Sequence, residues 1–289
     1  MHTHDTYLLE YKNFMILKNY SPKTIKTYYL IVQYYLRYCR EKHFDEELSD
    51  DIAKEYILYR YSLGLDWQTI NSDYSSIQNL YKNIIFKPWN IKKIPRPRKE
   101  KKLPSILSKE DIIKIIEHGR TYKHQVMLTC IYVTGMRLSE LINLKIEDID
   151  GHRFQIKINK GKGSKDRLIL IPPCLITLLR DYYKQTHPLT YLFPGIDKSK
   201  RYSPRSVQLA MHQAKKAALI NKKASIHTLR NCYATHHLEA GTDLVFLQEQ
   251  MGHKNLQTTI RYISLCVERH RYIRHPIESM PITYLHQRV

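Results

Sequence analysis

The sequence predicts a mainly α-helical protein with one small antiparallel β-sheet, divided into two domains. Apolar residues recur at helical spacing through most segments. Only the stretch from Phe154 to Ile171 alternates with period two, around a glycine-rich turn, as a hairpin does. A proline- and lysine-rich segment near residue 100 separates two helical halves.

In the first half, Ser21 is placed to cap a helix that has Pro22 at its first position and Ile25, Tyr29, Val32, Leu36 and Cys39 on one stripe. A second helix is expected from about Ser49 to Leu63. A third carries Trp67, Ile70, Tyr74, Ile77, Tyr81 and Ile84, and the segment before Tyr20 adds a fourth pattern. The result is a helical bundle over residues 1–91. Thirteen tyrosines fall before the basic segment; most lie on the apolar stripes, so packing is the expected use, ahead of base stacking.

Residues 92–107 read as a linker. Between Lys92 and Pro104 there are three prolines and seven basic residues in thirteen positions, which argues against a packed element there. A second domain over residues 108–270 opens with Ser108 as N-cap and acidic residues in the first turn. A buried helix ends at Thr134-Gly135, and another begins around Arg137. The hairpin follows, with its turn at Gly161 to Lys165. Helices are then expected over 174–184, 204–219, 228–239, 243–250 and 255–263, leaving residues 271–289 as a C-terminal tail.

Composition narrows the partner. The chain has 47 Lys and Arg against 27 Asp and Glu, a formal net charge of +20, so a polyanion is its natural partner. Nucleic acid comes first, because neutralised phosphates release counterions. Five scattered cysteines without a CxxC pair suit a reducing cytoplasm. The start Met1-His2-Thr3-His4-Asp5 does not read as a signal peptide, and the most apolar stretch, near Val126 to Met136, is too short and interrupted to span a bilayer. No membrane partner is expected.

Five segments carry chemistry: Thr134-Gly135-Met136-Arg137, Gly161-Lys162-Gly163-Ser164-Lys165, His227-Thr228-Leu229-Arg230, Gly252-His253, and Tyr262 nine residues after that histidine. Guanidinium forks neutralise the charge that develops on a phosphate in transfer. A phenol with an ordinary pKa near 10 costs roughly 4 kcal/mol to ionise at neutral pH, so a nearby base and cationic surroundings suit it as a nucleophile. These segments lack the carboxylate cluster that would hold metal ions. His227, His236, His237 and His253 do not make a zinc pattern, because the adjacent pair diverges by about 100° on a helix. The expectation is metal-free, cofactor-free transfer through a protein nucleophile. Arg137 and Glu140, at i, i+3, share a helix face, and Glu140 is an accessory candidate that either orients the guanidinium or bonds nearby backbone, the plain alternative being a surface ion pair.

In this order the motifs resemble the tyrosine recombinases, in particular the Xer-like and phage-type integrases, over nearly the whole chain. The resemblance implies an N-terminal SAM-like core-binding domain and a C-terminal catalytic domain that together clamp a DNA duplex. It implies a homotetramer on two recombination sites; a second recombinase or a DNA-bending accessory protein is left open as a further partner. Carried to matching positions, Arg137 and Arg230 hold the non-bridging oxygens of the scissile phosphate, and Lys162 protonates the leaving 5′ oxygen. His227 accepts the tyrosine proton, His253 bonds the phosphate, and Tyr262 attacks to leave a 3′-phosphotyrosyl link. Lys160 and Lys165 compete with Lys162 for the acid role; Lys162 is preferred as the first lysine of GKG. Lys23, Lys26, Arg96, Arg98 and Lys165 are candidate DNA contacts. Asn231, Cys232 and Tyr233 depart from the Arg-His-Ser/Ala-Phe run of many relatives, and Asn231 adjoins the HxxR environment. A type IB-like relaxing enzyme and a catalytically idle DNA-binding regulator are the alternative functions.

Overall fold

The computed structural model describes residues 4–44, 48–98, 105–159 and 166–266. The chain divides into two compact units, Met1–Lys102 and Leu103–Val289.

The first unit is built from α1 (His4–Leu17), α2 (Pro22–Glu41), α3 (Asp50–Ser62) and α4 (Trp67–Leu80), with a π-helical turn at Tyr81–Ile85. The starts of α2, α3 and α4 are set by side-chain caps. Ser21, Ser49 and Asp66 each accept a hydrogen bond from the backbone N–H three residues on. Helix α2 packs on α1 and α4. The tyrosine-rich stripes form the core: Tyr11, Tyr35, Tyr56, Tyr74 and Tyr81 are almost wholly buried. Tyr11 donates to Ser76 O at 3.0 Å and Tyr74 accepts from Trp89 Nε1 at 2.9 Å, in keeping with the need of buried polar groups for partners. Tyr81 donates to Ser49 O at 2.7 Å, so Tyr35 donates to Tyr81 at 2.6 Å. The third helix does not run unbroken to Ile84 as its periodicity suggests. It ends at Leu80, and the π turn closes at Phe86 in the left-handed region.

The basic segment departs from the expected free linker in its first part. Ile94 is buried, Lys93 pairs with Asp50 at 3.0 Å, and Arg96 donates to Asn71 Oδ1 and Ser75 Oγ on α4 at 2.9 and 2.8 Å. One apolar side chain and acceptors on neighbouring helices are enough to hold a stretch that its prolines exclude from helix. Residues 99–104 lie outside the described residues.

The second unit contains α5 (Lys109–Glu117), α6 (Tyr122–Thr134), α7 (Leu138–Asn143), β1 (Ile149–Asp150), β2 (Gln155–Ile158), β3 (Arg167–Leu170), α8 (Pro173–Thr186), α9 (Pro204–Ala217), α10 (Ile226–Glu239), α11 (Leu244–Met251) and α12 (Gln257–Ile260). Helix α6 lies at the centre, packed against α5, α7, α8, α9 and α10. The strands form an antiparallel sheet in the order β1-β2-β3, with Ile156 opposite both Ile149 and Ile169. The short β1 was not apparent in the alternation. The buried helix expected after Ser108 is two helices, because the chain breaks at 118–121. The pattern over 255–263 yields only α12 and a 3-10 turn at Ile263–Leu265.

Strand β3 has a register that sets up the site. Period two puts residues 167, 169 and 171 on one face. Ile169 and Ile171 are buried there, whereas Leu168 and Leu170 are exposed. Arg167 therefore occupies an inward position, and an arginine there needs an acidic partner.

Candidate active site

Two glycine turns deliver the arginines and histidines to one place. Gly135 ends α6 with φ +60°, and a Cβ there would stand 2.3 Å from the Tyr233 ring, so position 135 demands glycine on both counts. The turn makes Arg137 the N-cap of α7 and aims it back toward α11. Gly252 ends α11 with φ +62°, and its missing Cβ leaves room for the Arg167 side chain, which would otherwise be met at 2.8 Å. His253 follows directly.

Arg230 is buried in the first turns of α10. Nη1 donates to Gly135 O, and Nη2 donates to Met251 O at 2.8 Å and to His253 Nε2 at 2.9 Å. Two of its five N–H donors are left uncommitted among the described residues. Arg137 donates through Nη1 to Glu140 Oε1 at 2.8 Å and through Nη2 to Gly252 O at 3.2 Å, leaving three. Burial, with the charge of Arg137 close by, lowers Arg230 to about 10, so it keeps its proton at neutral pH.

Because an arginine only donates, His253 Nε2 must accept, and its proton sits on Nδ1, which donates to Thr259 Oγ1 at 2.8 Å. Desolvation, then the fields of Arg230, Arg137, Arg261 and Arg167, push the His253 imidazole down to about 3. It is neutral, with both nitrogens committed. A direct bond to phosphate would need a proton on Nε2 and release from Arg230.

His227 lies one turn before Arg230 and is exposed. With Arg137, Arg230, Ser139, Gln208 and His212 it lines a cleft of about 540 Å³. Packing around the ring, followed by the positive charges of Arg230, Arg261 and Arg137, holds its pKa below the ordinary imidazole value. Its ring nitrogens have no hydrogen-bond partner among the described residues, so a neutral base faces the cleft.

Tyr262 is wholly buried against Tyr233, Ala234, Leu247 and Met251, and does not line that cleft. Its ring lies nearly parallel to that of His253, at 6.2 Å between centroids. The hydroxyl donates to Asn231 Oδ1 at 3.2 Å and accepts from Arg261 Nη2 at 3.2 Å, with the Arg261 guanidinium 5.1 Å from the ring.

Glu140 is the hub of the charged network. It accepts from the Arg137 backbone N–H at 2.7 Å and from Arg137 Nη1, and it receives a two-pronged grip from Arg167 at 2.8 and 2.9 Å. Burial alone would raise its pKa; the hydrogen bonds and charge of Arg167, with the bonds from Arg137, outweigh it and hold the carboxyl at about 2.

Of the expected residues, Arg137, Glu140, His227, Arg230, His253 and Tyr262 thus gather in the second unit. Lys162 and Lys165 lie outside the described residues, as does Lys160. Lys23 and Lys26 are exposed on the first turns of α2, and Arg98 is exposed. Arg96 is turned onto α4. Sequence reading missed Arg167, Thr259, Gln250 and Arg261 as site residues. The signal for Arg167 was present, since it alternates with two buried isoleucines.

Both units match known protein families. Residues 105–269 match the phage integrase family, and residues 8–91 match the phage integrase N-terminal SAM-like domain. The chain is 30% identical over 277 residues to tyrosine recombinase XerA of Pyrococcus horikoshii, covering 94% of this chain and 92% of that protein. It is 35% identical over 188 residues to the putative integrase/recombinase y4qK of Sinorhizobium fredii, where the match spans 65% of this chain and 61% of the relative's length. In fold it is similar to XerH recombinase bound to a palindromic difH substrate, at TM-score 0.73 and 22% identity over 88% of this chain and 79% of that one. It is also similar to a lambda integrase in a tetramer on a Holliday junction, at TM-score 0.71 and 17% identity over 88% and 78%.

Proposed function

The chain belongs to the phage integrase family of tyrosine recombinases, and from that premise we propose that Tyr262 is the nucleophile with which it cuts and rejoins DNA at specific sites. It is a site-specific recombinase, a DNA strand-transferring enzyme. The observation that carries the residue assignment is the convergence of Arg137, Arg230 and His227 on one cleft, with His253 and Tyr262 packed behind Arg230.

The uncommitted N–H groups of Arg137 and Arg230 bind the non-bridging oxygens of the scissile phosphate and gain strength as charge builds there. Tyr262 exchanges Asn231 for the phosphate, its proton passing to the neutral imidazole of His227. Its oxygen bonds to phosphorus as the bond from phosphorus to the 5′ oxygen breaks. Lys162 gives that leaving oxygen a proton. The products are a 3′-phosphotyrosyl ester and a free 5′ hydroxyl. Attack by the 5′ hydroxyl of a partner strand reverses each step, and the ester conserves the bond energy, so rejoining needs no nucleotide cofactor. His253 acts through Arg230, fixing its guanidinium against two backbone carbonyls.

DNA is the partner, in keeping with a net charge of +20. The active assembly is a homotetramer on two recombination sites, with Lys23, Lys26 and Arg98 among the backbone contacts. The tetramer reading follows the lambda integrase arrangement. The enzyme works in the cytoplasm; among the described residues no helix is long and apolar enough to cross a membrane.

The test is recovery of covalent protein-DNA adducts from cells expressing the wild type or Tyr262→Phe, followed by sequencing of the attached DNA. Adducts concentrated at one sequence in the wild type and absent from the variant are expected. Adducts retained by the variant would refute the assignment, and adducts scattered over many sequences would favour a relaxing enzyme.

A further inference from the structure

Arg167 is inward-facing on β3, with only 12% of its side chain exposed, and every nitrogen of its guanidinium is engaged. Nε donates to Gln250 O on α11 at 3.0 Å, while Nη1 and Nη2 grip Glu140 on α7. The side chain of Gln250 returns the tie by accepting from the Leu170 backbone N–H at 2.8 Å. Arg137 completes the circuit, reaching Glu140 with one terminal nitrogen and Gly252 O with the other. One side chain therefore joins β3, α7 and the α11 turn around the phosphate-binding arginine.

The charge count explains why an arginine is needed at this place. Alone with Arg137, the buried carboxylate of Glu140 would form a closed ion pair with it, and a phosphodiester would have to compete for that guanidinium. A second, two-pronged cation satisfies the carboxylate and leaves Arg137 with net charge to offer. We propose that Arg167 is a positioning residue for cleavage: by neutralising Glu140 and tying it to α11, it sets the orientation and availability of Arg137 toward the scissile phosphate. It touches no reacting atom. The inference rests on the reading of Arg137 as a phosphate ligand.

Gly252 is part of the same device. Its bare Cα lets the Arg167 side chain run beside the α11 turn that presents Gly252 O to Arg137. Lysine at 167 would keep the charge and lose the fork, and so could not hold Glu140 and Gln250 together.

The experiment uses the full-length protein and the DNA site recovered from adduct sequencing, with single-turnover cleavage and DNA affinity measured separately. Thermal melting is followed in every variant. Arg167→Met is expected to cut the cleavage rate by about 10²-fold, the scale on which a misplaced catalytic group acts, while DNA affinity stays within about threefold. Arg167→Lys should recover part of the rate. In a Glu140→Gln background, where no buried carboxylate remains to be neutralised, Arg167→Met should cost less than about a fifth as much. Equal loss in both backgrounds, or a loss confined to DNA affinity, would overturn the proposal. Wild-type cleavage and Arg137→Ala are run in parallel. If Arg137→Ala cleaves normally, the reading of Arg137 fails; if it is inactive while Arg167→Met is unimpaired, only the role of Arg167 fails.

Discussion

Arg230 Nη2 donates to His253 Nε2 at 2.9 Å, and that one bond fixes the protonation of the second histidine of the site. The imidazole must carry its proton on Nδ1, where Thr259 Oγ1 receives it. In free histidine the other tautomer is the commoner one, so nitrogen chemical shifts of labelled protein can distinguish them. The Nδ1–H form is expected throughout pH 5 to 8, because His253 is held down to about 3. Thr259→Val should destabilise this tautomer, and cleavage should fall with it. An Nε2–H signal in the wild type would contradict the network.

Acid should unfold the second unit partly through Glu140. Its carboxyl is held at about 2 in the folded chain against an ordinary 4.5, so the folded state favours the ionised form. The resulting stability is fully present above pH 4.5 and is lost as pH falls from there through about 2. For a side chain this buried it amounts to roughly 3 kcal/mol. Glu140→Gln should remove that dependence, seen as a flatter melting temperature between pH 5 and 3 than in the wild type.

Gly252→Ala should destabilise the chain by about 1 to 3 kcal/mol, since alanine resists φ +62° and its Cβ would press on Arg167 at 2.8 Å. Cleavage should fall further than folding does, because the same turn presents Gly252 O to Arg137. A melting temperature equal to that of the wild type would show that the turn relaxes without strain.

Lys162 has a chemical test that does not depend on its position. If it protonates the leaving 5′ oxygen, Lys162→Ala should cleave an ordinary site at least about 10²-fold more slowly, the size of a general-acid contribution. A substrate with sulfur at the bridging 5′ position expels a thiolate, which needs no proton, so the variant should cleave it nearly as fast as the wild type. If Lys165→Ala shows this rescue and Lys162→Ala does not, the acid is Lys165.

Most of the architecture was legible because helix caps and apolar stripes are local. Ser21, Ser108 and Thr134-Gly135 each set a boundary within a residue or two of where it lies. The break between α5 and α6 falls on His118-Gly119-Arg120-Thr121, where the polar run with its glycine and the Thr121 cap of α6 were a local signal that went unread. The brief β1 carries too few residues to alternate. Arg137, Glu140, His227, Arg230, His253 and Tyr262 were readable as motifs, since each sits at fixed spacing from a glycine or another site residue. Their wiring was not readable. Arg167 meets Glu140 across 27 positions, and Arg261 reads as one more surface cation until it is found over the Tyr262 ring. Nor does any local pattern say that Asn231, where many relatives have histidine, accepts the hydrogen bond of the Tyr262 hydroxyl.

The covalent bond between Tyr262 and DNA can be read directly from the cleaved intermediate. Wild-type protein is incubated with its nicked site, which traps the cleaved intermediate, then digested with nuclease and protease, and the nucleotide-bearing peptide is sequenced by mass spectrometry. One peptide with a 3′-nucleotide remnant on Tyr262 is expected, and none from Tyr262→Phe, which should fold because the loss of one hydroxyl costs only about 1 kcal/mol. A remnant on any other residue, or a modified peptide from the folded variant, would contradict the assignment.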